Sequence, residues 1–229
     1  MSSTKIEFAV QMTCDSCVNS VRKTLENVEG IKNVDINLEK QSVVVDSNLP
    51  TLKLQKLLES SGKKVAVKGF AGSTAAVSIL EAGDKSVQGV VRFVQVSPKS
   101  CLIDGTLDGL KPGPHHVYVH ECGDISQGCT SVGDVFNPPH EQKQRTYGDI
   151  GQMSASEDGR AAFRIEDDVI NVPDIIGRSL VVTDGEGKKR LACGIIARSA
   201  GLFQNPKTIC ACDGVTIWDE VSKPKKAAL

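Results

Sequence analysis

Along the first seventy residues the spacing of apolar positions changes period several times, and each change marks a predicted element. Ile6, Phe8 and Val10 alternate with Glu7, Ala9 and Gln11, so one face is expected to be buried and the segment reads as a strand. Val18, Val21, Leu25 and Val28 then recur at spacings of three and four, which predicts a helix stopped by Gly30. Alternation returns at Val34, Ile36 and Leu38, a polar turn from Glu39 to Gln41 follows, and Val43 and Val45 begin another strand. Pro50 opens a second helix carrying Leu54, Leu57 and Leu58, Gly62 stops it, and KKVAVKG supplies a last strand. The order is βαββαβ, the ferredoxin-like split arrangement.

Beyond residue 69 the pattern is different. GFAGST at 69–74 is short and Gly-rich, as a linker would be. The runs AAVSIL, VQGVVRFVQVS, CLIDGTLDGL, HHVYVHE, RAAFRIED and SLVVTDG follow, separated by Gly, Asp and Pro, with no helical periodicity. Many short strands of this kind predict a Greek-key sandwich or barrel. The expected fold class is therefore an α+β ferredoxin-like domain, then an all-β Greek-key barrel, then a short and mostly irregular C-terminal tail. The expected divisions are 1–69, a linker at 70–74, 75–202, and a tail at 203–229.

Composition narrows the function. Among 229 residues there are one Trp, two Tyr and six Phe, so the cores must be built from Val, Ile, Leu and Ala. The net charge is -1 and the basic residues are scattered, which speaks against an electrostatic surface for nucleic acid; KPKK near the end reads as a solvated tail. No apolar run approaches the roughly 20 residues that span a bilayer, and MSSTKIEFAVQM lacks the apolar stretch of a secretory signal. The expected location is cytoplasmic. In a reducing compartment, closely spaced pairs among the eight cysteines point to metal or redox chemistry rather than a disulfide framework.

Two such pairs stand out. Cys14 is placed in the loop leaving the first strand and Cys17 in the first turn of the helix, where the helix N-terminus favours thiolate. Two thiolates at a surface loop suit a soft monovalent ion such as Cu(I). Structural zinc normally takes four protein ligands, and residues 5–69 contain no other Cys and no His. A thioredoxin-like redox pair also lies between a strand and a helix, and C-x-x-C alone leaves that alternative open. The second pair, Cys210 and Cys212 in KTICACDG, is separated by a single residue. A disulfide across so short a span would be strained and more oxidising than an ordinary one.

MTCDSC on a βαββαβ unit resembles the heavy-metal-associated domain of copper carriers, over residues 5–69. That resemblance implies Cu(I) held by both sulfurs, with Met12 packed under the loop. Lys63 and Lys64 are read as surface lysines, compensation of thiolate charge being the alternative. Residues from about 75 to 200 resemble copper/zinc superoxide dismutase, through HHVYVHECGDISQGCTSVGDVFNP, YGDIG, IIGRSLVV and RLACGII. His116, Tyr118 and His120 share one strand face, but the resemblance asks for histidine at both Tyr118 and His120, at Val135 and at Thr183. On the zinc side Thr146 replaces a histidine, and His120, His140 and Asp149 would make at most a weak site. Dismutase activity and zinc in the middle domain are therefore not expected, and His115, His116 and His140 are read as ordinary surface or hydrogen-bonding residues. The same resemblance implies a Cys129–Cys193 disulfide, with Arg190 beside it. It also implies a partner interface of Ile175, Ile176, Gly177 and Arg178 with Ile195, Ile196, Ala197, Arg198 and Leu202. Cys101 and Cys122 are expected to be buried and structural.

The three parts in this order resemble the family of copper chaperones for superoxide dismutase. The resemblance implies Cu(I) acquired at Cys14 and Cys17 and a heterodimer with Cu/Zn superoxide dismutase. It also implies transfer of copper and promotion of the client's disulfide by Cys210 and Cys212. A homodimer without client and a membrane copper transporter as donor are further expectations; a thiol–disulfide oxidoreductase and a residual dismutase are the rival readings.

Overall fold

The computed structural model describes residues 3–138 and 145–205. Among the described residues the backbone divides into two compact units, one formed within residues 73–199, the other by residues 3–72 together with residues 200–205. The first unit contains β1 (Thr4–Val10), α1 (Asp15–Leu25), β2 (Ile31–Asn37), β3 (Ser42–Ser47), α2 (Thr51–Glu59) and β4 (Val65–Phe70). This is the βαββαβ order that the periodicity predicts. The sheet runs β2-β3-β1-β4 with every pair antiparallel. Ile6, Phe8 and Val10 bury one side of β1 together with Val21, Leu25, Leu54 and Leu58 from the helices. Each such side chain removed from water contributes about 1.5–3 kcal/mol.

Two local expectations change. Glu7 and Ala9, on the predicted polar face of β1, are also buried, Glu7 retaining 2% of its accessible surface. Helix α1 stops at Leu25 rather than running through Val28, because the chain turns at Asn27 with φ +58° and at Gly30 with φ +94°; Asn and Gly are the residues that tolerate left-handed backbone. Phe70 closes β4 and Thr74 opens β5, with residues 71–73 between them. The second compact unit ends at Ser199.

The second unit contains β5 (Thr74–Leu80), β6 (Ala82–Gly83), β7 (Gln88–Ser97), β8 (Ser100–Asp108), β9 (Gly113–His120), β10 (Ser126–Cys129), β11 (Asp149–Ala155), β12 (Ala161–Asp167), α3 (Val172–Ile175), β13 (Ser179–Thr183) and β14 (Arg190–Arg198). The strand order β11-β9-β13-β14-β5-β7-β8-β12 inserts the last hairpin between β9 and β5. That insertion is the Greek-key crossover, and the sheet curls into a nearly closed antiparallel barrel. Phe93, Ile103, Leu107, Val117, Val119, Leu180, Val182 and Ile196 fill it. α3, the one helix of this unit among the described residues, is too short to show a period; Pro173 sits in its first turn. No helix among the described residues is long and apolar enough to cross a membrane.

Candidate metal centre

The loop between β1 and α1 carries the sulfur pair. Cys14 is the residue capping α1, in extended conformation at φ -162° and ψ 170°, and no side chain caps the helix there. Its carbonyl takes the N–H groups of Cys17 and Val18, at 3.0 and 3.3 Å. This tight first turn brings the two Sγ atoms to 3.5 Å from each other. Cys14 is exposed and Cys17 buried. Met12, 1% exposed, packs beneath them as part of the core.

The surroundings favour thiolate at Cys17. Its pKa is drawn down to about 6, first by the backbone N–H of Thr13, then by the Thr13 hydroxyl, by Lys63 and by Cys14, with burial opposing. The Thr13 oxygen is 3.7 Å from the sulfur. Lys63 is thus one of the groups that favour the thiolate, and the Lys64 carbonyl accepts from the Gln11 N–H at 3.0 Å. Thr13 was not among the expected site residues, although it stands between Met12 and Cys14 in the motif. Cys14 Sγ has Ser16 Oγ at 2.9 Å. The pair thus offers one buried, charge-stabilised sulfur and one sulfur facing solvent. No third Cys, His, Asp or Glu joins it among the described residues. Two sulfurs with no further ligand hold a soft ion at low coordination number and leave it open to attack by an incoming thiolate.

In the barrel the residues weighed as possible ligands lie on and around β9. His116, Tyr118 and His120 do share one face of β9: the first two rings stack at 5.9 Å and the last two meet edge-on at 6.5 Å. His120 Nδ1 is 2.9 Å from the Gly133 carbonyl, and burial lowers its pKa. Val135 bridges His120 through the backbone. The Thr183 hydroxyl donates to carbonyls of His116 or Asp184, and the Asp149 carboxylate accepts from the Gly151 N–H at 2.9 Å. His115 is buried, with its ring nitrogens 3.0 and 2.8 Å from the carbonyls of Thr183 and Lys111. No group of three metal-ligating side chains occurs in this unit among the described residues. His140 lies outside them, as do Cys210 and Cys212.

Other expected residues divide in two. Cys129 and Cys193 are bonded, with Cα atoms 5.7 Å apart, and Arg190 donates to the carbonyls of Cys129 and Gly133, both at 2.8 Å. Cys101 is buried as expected, its thiol pushed up to about 12 mainly by desolvation, but Cys122 is exposed because it lies in the turn beyond β9. Of the expected interface residues, Ile175 and Ile196 are wholly buried in the barrel core. Ile176, Gly177, Arg178, Ile195, Ala197 and Arg198 have surface to offer. The two segments are stitched together by Gly177 N–H to Ile196 O and Ile196 N–H to Arg178 O, both 2.8 Å. Arg178 also lies over the Phe136 ring, 3.5 Å from its centroid. Exposed Ile79, on β5 beside β14, was missed; its 56% exposure exceeds the 41% of Ile195. Leu202 belongs with the first unit, its N–H donating to Phe70 O at 2.9 Å.

The model described as copper/zinc superoxide dismutase (SODC) matches residues 87–196, and that described as heavy-metal-associated domain matches residues 7–64. The copper chaperone for superoxide dismutase of Mus musculus is 51% identical over an alignment covering 96% of this chain and 89% of its own. That of Homo sapiens is 48% identical with the same coverage. The chain belongs to the family of copper chaperones for superoxide dismutase. The superoxide dismutase 1 copper chaperone of Saccharomyces cerevisiae, 32% identical over 93% of this chain and 92% of its own, extends the likeness to a distant member. The heavy-metal-associated match covers both cysteines of the pair, and the dismutase match covers the barrel residues Tyr118, Val135, Thr146 and Thr183.

Proposed function

We propose that this protein takes up Cu(I) on Cys14 and Cys17 and delivers it to Cu/Zn superoxide dismutase. The observation that carries the reading is the pair of sulfurs at 3.5 Å, one of them a stabilised thiolate, with no third ligand among the described residues. A two-sulfur site binds Cu(I) tightly yet releases it by ligand exchange, since a third thiolate can add before one of the first two leaves. The donor is proposed to be a membrane copper transporter and the setting the cytoplasm.

Docking is proposed to use the barrel surface around Ile176, Arg178, Ile195 and Arg198. A dismutase-like surface is self-complementary, so it fits a dismutase subunit in a heterodimer, and a second copy of itself when no client is present. Cys210 and Cys212 are proposed to complete the transfer and to oxidise the client. With the tail first oxidised to a Cys210–Cys212 disulfide by dioxygen, one client thiolate attacks it to give a mixed disulfide, and the second displaces the tail sulfur. Two electrons pass from the client dithiol to the tail, which leaves as a dithiol.

The test mixes this protein, loaded with Cu(I), with metal-free and reduced dismutase, and measures complex formation and recovered dismutase activity. Cys210→Ser with Cys212→Ser is expected to leave docking intact and abolish activation. Full activation by that variant contradicts the role of the tail.

A further inference from the structure

The root of the tail is attached to the first unit by a small set of polar contacts. Leaving the barrel at Ser199, the chain passes alongside β4, where Gly201 bridges Phe70 in parallel and Leu202 N–H donates to Phe70 O. It then turns sharply, Gln204 N–H reaching Gly201 O at 3.1 Å while the Gln204 side chain accepts from Gly201 N–H at 3.1 Å. At the turn, Phe203 N–H donates to Glu7 Oε2 at 2.8 Å, and Asn205 Nδ2 reaches Lys68 O at 3.4 Å. The other oxygen of Glu7 accepts from Ser42 Oγ at 3.1 Å and pairs with Lys68 Nζ at 3.2 Å. A carboxylate that is 2% exposed in the middle of a sheet thus serves as the anchor for a backbone N–H nearly two hundred residues away.

Three features bear on how firmly this segment is held. Gly69 is needed for the approach, because a Cβ there would collide with the Gly201 carbonyl. Phe203 adopts φ +60°, a strained choice for a bulky residue, and its ring is 66% exposed, so no apolar burial offsets the strain. When the segment lifts, Glu7 keeps Lys68 and Ser42 and is not left as an isolated buried charge.

We infer that residues 200–205 form a releasable strap, fastened by Glu7, that sets how far the C-x-C tail can reach. With the strap fastened, Cys210 is five residues past Asn205 and lies within about 18 Å of it. With the strap released, the same cysteine is eleven residues past Ser199 and can extend to about 40 Å. Fastened, the tail thiols stay close to the unit that carries Cys14 and Cys17; released, they have the span for a partner.

Native-state amide exchange on the full chain tests the strap independently of copper delivery. The amides of Leu202 and Phe203 are expected to be protected in the unaltered protein. Glu7→Ala is expected to speed exchange at Phe203 by about tenfold or more, the loss of a charge-assisted bond, and Glu7→Gln by less. Gly69→Ala, which leaves the Glu7 carboxylate in place, is expected to expose both amides while those of β1 and β3 stay protected. Phe203→Gly, which relieves the strained φ, is expected to slow exchange. Random-coil exchange at Phe203 in the unaltered protein, or unchanged protection in both Glu7→Ala and Gly69→Ala, overturns the inference.

Discussion

The two units of this chain have kept different things. The first keeps a candidate metal site made of very few atoms: two sulfurs on one tight turn, with a threonine and a lysine that favour the buried thiolate. The second keeps an entire barrel, its core, its disulfide and its crossover, while the positions expected to hold metal carry Tyr118, Val135, Thr146 and Thr183. A fold is specified by alternation and packing spread over dozens of positions, whereas a metal site depends on a handful of side-chain atoms. Either one can therefore be held while the other is lost.

The largest test of that contrast removes the site and leaves the fold. In a Cys210→Ser, Cys212→Ser background, Cys14→Ser with Cys17→Ser is expected to abolish copper binding, read by anaerobic competition against a Cu(I) indicator. The circular dichroism of both units should be unchanged, because Cys14 is exposed and Cys17 lies at the rim of its core. Retained copper binding would move the metal into the barrel.

The next test strikes the other unit. The Cys129–Cys193 bond closes a loop with a sequence separation of 64; replacing both by alanine is expected to lower the stability of the barrel by about 2–5 kcal/mol. Denaturant unfolding should show the loss in the barrel transition only, with copper uptake at the first unit unaffected. A loss shared by both transitions would mean that the units do not fold separately.

The smallest effect concerns Cys17. Lys63→Ala is expected to raise its pKa from about 6 towards the ordinary thiol value, without restoring it fully, because Thr13 supplies the larger stabilisation. The thiolate absorbance of the metal-free first unit, followed against pH, measures this. The sign follows from linkage. A thiol pKa depressed by folding stabilises the native state most above the unfolded value of 9, and that contribution fades as pH falls to about 6. Copper uptake should weaken over the same acid limb, as protons compete for the sulfur.

Most of this architecture was legible in the sequence, for reasons that particular residues make clear. The apolar alternation of β1 and the three-four spacing of α1 carry strong periods, and the βαββαβ order followed from them. β10 and β11 did not, because SQGC and DIGQMSA carry little alternating apolar character. Cys14 and Cys17 were visible as a motif, but Thr13 acts partly through its backbone N–H, which no side-chain pattern reveals. Glu7 looked like a solvent-facing residue because its burial depends on contacts distant in sequence, with Ser42 and Phe203. Ile79 was hidden for the opposite reason: in a strand apolar on both faces, nothing local says which side stays open.

X-ray absorption at the copper edge of the full chain, loaded with one equivalent under reducing conditions, addresses the central claim most directly. The account predicts Cu(I) surrounded by sulfur alone. A first shell of imidazole nitrogen, which only the barrel could supply since all four histidines lie beyond residue 114, would contradict it.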